Sequence, residues 1–569
     1  MSACRAEFLR LGALGLVLVT SAALADPQAS PQVLAPPTPI LAPPAAADTA
    51  VDPRGVSVER QDLAAPVAEA TGVLDPRQGG FPPTLWNGTS GPTVRALLPH
   101  LPVAVDSPTL RALARRLLLT AAPPPKGVTE PDKPSLVELR VDRLLALGAV
   151  DGAIDLAAAA PVSVRGAGLV QARTEALLMT GRLDGICADP GLATAAGQNP
   201  EMAKVQILCQ LSAGNTAAGN FGLDLQRDRK PADTVFIAAA EVVGGLPLAK
   251  GGLGPLRDPS PVQLAALAAA KLPLPAEAVE GAGPAQLRAI ATAAGTPPDQ
   301  RLAAAERAEA IGVLDTDSLR KLIAAVEFKP DELARADSQA GPRGLALLSR
   351  AAEAAADPAI AAALLARALD QSAARGRYAT AARLLSPLIA KMPVQPTLQS
   401  FAPFAARALL VTGHPDVAAS WLDLASKDAD GAKAAARLWP LARLWSVADP
   451  SPAAAALWRQ TVEPRRALVA LSALSGLGIH LADADFVALL EVPRAAAGPA
   501  PALSQLLDAA VRDNSLGGTV LATLAGFEAG GLDKADPVAL ARALAALKAV
   551  GLEAEARRLA VEILLANGM

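Results

Sequence analysis

The chain has 569 residues, of which 51% are hydrophobic but only 3% aromatic, and its formal net charge at pH 7 is −3. Alanine and leucine must therefore supply most of the core, and because alanine is a poor strand former this composition predicts an all-α protein. The slightly acidic balance argues against a nucleic-acid-binding protein, which would need a basic face.

Residues 1–25 have the pattern of a secretory signal peptide. Arg5 and Arg10 form a basic start, an apolar stretch ends at Leu24, and a small residue precedes Asp26 at the expected cleavage site after Ala25. The apolar stretch is shorter than the roughly 20 residues that a membrane span requires. The pattern predicts export, most simply to a bacterial periplasm, with no membrane span after cleavage.

Residues 26–70 are rich in proline and alanine and show no period, so we expect a disordered, extended linker of polyproline type. Helical patterns begin at about residue 71. Ser107 followed by Pro108 is typical of a helix start, with serine as the cap and proline in the first turn.

The segment Val243–Pro261 contains glycine and proline at a density that no helix tolerates. It predicts either a domain boundary or a long loop within one continuous structure, and the sequence favours neither. We therefore describe an N-terminal helical repeat region, residues 71–250, and a C-terminal one, residues 251–569. Within the latter, a single helix is predicted over Ala432–Val447. The last helical pair is expected to form a solvent-covered cap whose outer face carries Glu553, Glu555, Arg557, Arg558 and Glu562.

The most regular stretch lies between Ala363 and Met392. Apolar residues recur at helical spacing on both sides of Gly376, which predicts two helices folded back on each other. Glycine can end the first helix in the left-handed conformation, and Ala381 in the second lets the helix axes approach closely. A glycine followed five residues later by alanine, and three further on by a large apolar residue, recurs at Gly148, Gly413 and Gly551.

The placement of Gly376, Ala381 and Pro393 resembles that of the tetratricopeptide family, although the tryptophan and tyrosine of that family's first helix are missing. The resemblance implies a degenerate, tetratricopeptide-like α-solenoid, in which antiparallel helical hairpins stack on one another. The chain also resembles exported, alanine-rich proteins of proteobacteria.

Cys187 and Cys209 are the cysteines that remain after removal of the signal peptide. In an oxidising compartment they are expected to form a structural disulfide between neighbouring antiparallel helices, which would stabilise the fold by about 3 kcal/mol. The alternative is two buried thiols, since a free cysteine packs as a small hydrophobic residue.

Four of the five tryptophans lie between Trp421 and Trp458. Trp421 occupies the position that leucine fills in other hairpins, so it is predicted to be a core residue. Trp439 and Trp445, together with Arg443, are candidates for a binding groove that stacks sugars or anchors a peptide.

No motif predicts catalysis, a metal or a cofactor. The three histidines, His100, His414 and His480, are far apart and lack ligand spacing. Ser318 and Lys321 match the Ser-x-x-Lys signature of penicillin-interacting enzymes, but the companion motifs are missing. Ser318 is better explained as a residue of the first turn of a helix, capped by Asp315 or Thr316.

These features favour a non-enzymatic periplasmic solenoid that binds other proteins, as a scaffold or assembly factor of an envelope complex. The alternative is a peptidoglycan-associated protein, either an activator of wall enzymes or a degenerate relative of the superhelical part of soluble lytic transglycosylases. That resemblance concerns the fold alone, and the Glu-Ser pair of those enzymes is missing. A sizeable sheet, or a compact pocket ringed by ionisable side chains, would contradict the hairpin stack and reopen the question of catalysis.

Overall fold

The computed structural model describes residues 68–569 except 104, 129–133, 494–499 and 528–530. Within this part the chain forms thirty α-helices and no strand, which confirms the all-α prediction. The predicted signal peptide, and the predicted linker up to residue 67, lie outside the described residues. Residues 68–70 form a short 3-10 helix.

The α-helices are α1 (Gly91–Leu97), α2 (Pro108–Leu119), α3 (Leu136–Ala146), α4 (Val150–Ala159), α5 (Ala167–Met179), α6 (Leu183–Cys187), α7 (Gly191–Gln198), α8 (Pro200–Ser212), α9 (Thr216–Arg227), α10 (Thr234–Val243), α11 (Pro261–Ala269), α12 (Glu277–Gly281), α13 (Pro284–Thr292), α14 (Pro298–Ala310), α15 (Thr316–Ala324), α16 (Pro330–Ala334), α17 (Gly341–Ala354), α18 (Pro358–Ala374), α19 (Tyr378–Ile389), α20 (Ala402–Val411), α21 (Pro415–Ala425), α22 (Ala429–Arg437), α23 (Trp439–Leu444), α24 (Pro452–Arg459), α25 (Pro464–Gly476), α26 (Asp483–Val487), α27 (Pro501–Arg512), α28 (Leu516–Ala525), α29 (Pro537–Ala549) and α30 (Glu553–Ala566). Short 3-10 helices cover Ala68–Ala70, Pro76–Gln78, Leu98–His100, Val162–Val164, Ala336–Ser338 and Pro396–Phe401.

The four predicted glycine hairpins are confirmed as the pairs α3–α4, α18–α19, α20–α21 and α29–α30. Each connecting glycine has a positive φ, with values of 78° at Gly148, 68° at Gly376, 78° at Gly413 and 84° at Gly551. Because an L-residue with a side chain rarely adopts this conformation, glycine at these positions allows the chain to reverse within a few residues.

Alanine lies where paired helices cross. Ala153, Ala381, Ala418 and Ala556 are all fully buried, and each lies in the second helix of its hairpin. Trp421 is also fully buried, as predicted, and fills a space that alanine would leave empty. The fold therefore combines close backbone approach at alanine with local filling by larger side chains.

Ser107 caps α2, as predicted, by accepting a hydrogen bond from the amide of Leu110. Residues 244–260 contain no helix, and α10 and α11 on either side of them pack against each other. The single helix predicted over Ala432–Val447 is wrong. Two helices stand there, because Pro440 lacks the amide hydrogen that would continue α22 beyond its last residue.

Two buried arginines connect helix ends that are distant in sequence. Arg111 donates to the backbone oxygens of Ile311, Leu147 and Val103 at 2.7, 2.7 and 2.9 Å. Ile311 and Leu147 are the C-terminal caps of α14 and α3, whose carbonyls would otherwise lack partners. Arg140 likewise donates to three carbonyls, of Leu118, Thr71 and Thr120.

Burial lowers the pKa of both guanidinium groups to about 10, against the partial effect of a nearby carboxylate. Both groups remain charged at neutral pH. Each one joins three backbone carbonyls from two or three separate segments of the chain.

The last hairpin packs against the first helices of the described part. Helix α2 contacts both α28 and α30, and α1 contacts α28. Ser515 at the start of α28 forms a buried hydrogen bond with Thr89 at 2.6 Å. The predicted solvent-covered cap is therefore wrong for Glu555 and Glu562, whose carboxylates face α2, whereas Glu553 and Arg558 are exposed as predicted.

Candidate binding cleft

Two cavities meet alongside α2. The first, of about 840 Å³, lies between α2, α19 and α30, and the second, of about 990 Å³, lies between α2, α4, α13 and α15. Pro108, Ala112, Thr316 and Arg383 line both of them. We refer to the combined space as the α2 cleft.

Helix α2 presents one wall of this cleft because it is amphipathic. Leu110, Leu113 and Leu117 form its buried face, whereas Ala112 and Arg115 are exposed. The small side chain of Ala112 leaves a space between the helices, and the guanidinium groups of Arg115 and Arg116 add positive charge to this space.

Most of the charged side chains along the cleft are basic. The basic side chains are Arg111, Arg115, Arg116, Arg288, Arg301, Lys321, Arg383, Arg557 and Arg558. The acidic ones are Asp151, Glu309, Asp315, Glu555 and Glu562. The cleft therefore carries an excess of positive charge in a chain whose net charge is −3.

Arg383 joins the two halves of the cleft through a two-point ion pair with Glu309. Its Nε and Nη2 atoms donate to the carboxylate at 2.7 and 2.8 Å, and Thr316 donates to the same carboxylate at 2.7 Å. Burial opposes ionisation of Glu309, but the bonds and charge of Arg383 outweigh it and hold the pKa of this carboxyl below its usual value. Glu309 is therefore ionised and neutralised in place.

Glu562 occupies the start of α2. Ser107 and Thr109 donate their hydroxyl hydrogens to its carboxylate, and the Thr109 amide donates to it at 3.0 Å. Although the residue keeps some solvent exposure, its carboxylate is surrounded by protein atoms. Burial raises the pKa of Glu562 above the ordinary value, while these hydrogen bonds and the charge of Arg383 act in the opposite direction.

Three cations of the cleft form no salt bridge with a carboxylate of the described residues, although the charge of Lys321 contributes to lowering the pKa of nearby Asp315. Arg115 and Lys321 are exposed, and Arg301 is half-buried with its Nε donating to the carbonyl of Ala291 at 3.3 Å. These side chains are available to an anionic ligand. Arg558 contributes a further exposed guanidinium, although Glu555 lies 3.4 Å from it.

Ser318 lies in the first turn of α15, capped by Asp315, which confirms the helix-start interpretation of this motif. Its amide and hydroxyl donate to the two carboxylate oxygens of Asp315 at 2.7 and 3.0 Å. Ser318 and Lys321 both line the cleft, but the serine hydroxyl is engaged by the carboxylate and not by the lysine.

The structure separates the predicted groove residues. Trp439 is buried, stacks on Trp458 with ring centroids 5.5 Å apart, and donates its indole hydrogen to the carbonyl of Asp449. Trp445 is half-buried and lines the α2 cleft, with the guanidinium of Arg557 5.5 Å above its ring. Arg443 does not line the cleft, so the three residues do not form one surface.

Cys187 and Cys209 are paired as a disulfide between α6 and α8, with Cα atoms 5.5 Å apart. Neither residue lines the α2 cleft. The bond links the last residue of the short helix α6 to the longer helix α8.

Among the described residues, no group of three or more His, Cys, Asp or Glu side chains is arranged to hold a metal ion. His414 lines the cleft and its Nδ1 atom lies 3.1 Å from the hydroxyl of Thr412. No helix in the described part of the chain combines the length and apolar character needed to cross a bilayer.

The α2 cleft is a space ringed by ionisable side chains, so the lack of catalytic motifs does not by itself exclude catalysis. Its buried carboxylates are nevertheless engaged: Glu309 is held by Arg383, and Glu562 closes the start of a helix. The sequence analysis assigned no role to Glu309 and placed Glu562 on a solvent-covered face. For Glu562 there was one hint in the sequence. Leu110 stands three residues after the helix cap Ser107, at the position where a capping box has a glutamate or glutamine, so an acid at this helix start must come from elsewhere in the chain.

No protein-family model, no curated protein and no solved structure matches this chain. Function is therefore inferred from the chemistry of the cleft.

Proposed function

We propose that the protein is an exported, non-enzymatic binding protein whose α2 cleft receives an acidic, extended segment of a partner in the cell envelope. The observation that carries this proposal is the excess of arginine along a deep cleft in an otherwise slightly acidic protein. Guanidinium groups match carboxylates with two parallel hydrogen bonds, and they remain charged at every physiological pH.

Export is supported by the signal-peptide pattern and by the disulfide, since disulfides persist in oxidising compartments. A scaffold role is supported by the packed helical hairpins, because hairpins that stack as a solenoid present long concave surfaces to other proteins. In this proposal the helices of a tetratricopeptide-like solenoid position the α2 cleft, and the partner binds in the cleft.

The decisive residues are Arg115 and Lys321, because both are exposed and neither forms a salt bridge in the described part of the chain. Binding of a fluorescent poly-glutamate peptide should weaken about 5-fold in the Arg115→Ser/Lys321→Ser variant, from about 0.5 kcal/mol per exposed charge. The matched control is Arg229→Ser/Lys427→Ser, which removes the same number of exposed charges away from the cleft.

The affinity of the wild type should also fall as salt concentration rises, since the contacts are between exposed charges. Equal weakening in the two double variants would mean that the peptide responds to net charge alone, and the cleft assignment would fail. Poly-lysine serves as the negative probe.

A peptidoglycan-associated function is the second candidate, and Trp445 favours it. Its indole faces the cleft beneath Arg557, an arrangement suited to stacking a sugar beside an acidic stem peptide. Soluble muropeptides should then bind more tightly than poly-glutamate, and Trp445→Ala should weaken muropeptide binding while leaving poly-glutamate binding unchanged. Release of new muropeptides from purified wall would instead indicate an enzyme.

A further inference from the structure

A third cavity, of about 640 Å³, lies where the C-terminal ends of α5, α11 and α13 meet. Thr292 also lines the α2 cleft, whereas the other residues lining the third cavity do not. Its volume falls within the range of small-molecule sites in proteins.

The walls of this cavity are aliphatic. Leu178, Leu264, Leu267, Leu274 and Ile290 line it, and no aromatic or acidic side chain is among the lining residues. Without aromatic rings the cavity offers nothing for a planar ligand to stack on, and without acidic groups it offers no counter-charge to a cation. Flexible hydrocarbon is the chemistry that fits such walls.

Polar groups mark the side open to solvent. Thr292 and Lys271 line the cavity and are exposed, whereas Thr180 is half-buried. Thr180 and Thr292 donate their hydroxyl hydrogens to carbonyls of their own helices, so their oxygens remain able to accept a hydrogen bond.

Lys271 holds a left-handed backbone conformation, with φ of 54°, at the end of α11. This conformation is uncommon for a residue with a side chain. Its backbone amide bonds back to Ala268, and the lysine side chain stands at the rim as a donor.

We infer that this cavity binds a single aliphatic chain whose polar head group stays at the rim formed by Thr292 and Lys271. The occupant is a long-chain alcohol, whose hydroxyl oxygen can accept a hydrogen bond from Lys271, and the inference does not rest on the proposed function of the α2 cleft, although Thr292 lines both spaces. Affinity comes from burial of methylene groups, so it must rise with chain length.

The test is calorimetric titration of the whole chain with n-octanol, n-decanol and n-dodecanol. Each added methylene should tighten binding about 4-fold, and each step of the series about 15-fold. The Ala268→Phe variant places a ring at the cavity wall and should abolish this binding, whereas Ala269→Phe alters a neighbouring exposed residue that does not line the cavity and should leave it unchanged.

Failure of all three alcohols to bind, or equal binding by both phenylalanine variants, would overturn the assignment. The Arg115→Ser/Lys321→Ser variant should bind the alcohols as the wild type does, because the probes are uncharged. Loss of alcohol binding in that variant would show that the aliphatic cavity is not separate from the α2 cleft and would overturn the inference. Loss of peptide binding alone would concern only the α2 cleft.

Discussion

Replacement of Arg111 by methionine should lower the free energy of unfolding by about 3 kcal/mol. Methionine can fill much of the space of the arginine stem but donates no hydrogen bond. Three buried carbonyls would lose their charged donor, at about 2 kcal/mol each, or about 6 kcal/mol together. Removing the buried charge returns part of this, since burial lowers the pKa of Arg111 to about 10, which corresponds to a penalty on the order of 3 kcal/mol.

The assay is urea denaturation followed by far-ultraviolet circular dichroism, and the dependence of the unfolding free energy on urea concentration is compared with that of the wild type. The control is Arg115→Met, one turn further along the same helix, where the side chain is exposed and a change within about 0.5 kcal/mol is expected. If Arg111→Met does not fold, Arg111→Lys provides the measurement, because it keeps the charge with fewer donors. Arg111→Met losing less than about 1 kcal/mol, or no more than Arg115→Met, would refute the role assigned to the three bonds.

Other predictions concern glycine, pH and the disulfide. A left-handed backbone costs a residue with a side chain about 1–2 kcal/mol, and Gly312→Ala should destabilise the protein by more than this, because the new Cβ would lie 2.7 Å from the Cα atom of Pro108. Gly376→Ala has a similar φ but open space around the new Cβ, so it should show only the backbone cost. Equal losses of stability of the two variants in urea denaturation would argue against the close contact. Because the pKa of Glu562 is raised in the folded state, its stabilising effect is complete below pH 4.5 and declines as the pH rises through the folded-state pKa. The wild type should therefore lose stability relative to Glu562→Gln as the pH increases. A difference in the free energy of unfolding between the two proteins that does not change with pH would contradict this. Replacing Cys187 and Cys209 by serine should lower the free energy of unfolding by about 3 kcal/mol and make it insensitive to reductant, whereas reductant should destabilise the wild type. Unchanged electrophoretic mobility and stability of the wild type on reduction would show that the bond does not form.

The hairpins were predictable because their causes are local. A glycine with a positive φ, an alanine at the helix crossing and an apolar stripe at helical spacing all lie within about twenty residues of Gly376, and the same holds at Gly148. The start of α2 was predictable for the same reason, since Ser107 and Pro108 act on the amides directly after them. The break before Trp439 shows the limit, because the apolar pattern continued through Pro440 and hid the interruption.

The α2 cleft was not predictable because its parts come from separate stretches of the chain. Arg383 binds Glu309 from a distant helix, and Glu562 reaches the cap of α2 from the far end of the described residues. On a helix surface each of these residues is one charged residue among many. Only packing decides which of them becomes buried, paired or exposed.

The sequence alone determined that the chain would be helical, where its tightest hairpins would turn and which two cysteines were available to pair. These features depend on backbone conformation and on spacing within one or two helices. Tertiary packing decided that the last hairpin meets the first helices, that arginines line the space beside α2, and that Trp439 belongs to the core while Trp445 faces the cleft. The physical reason is that burial and charge pairing depend on neighbours that are close in space and far apart along the chain.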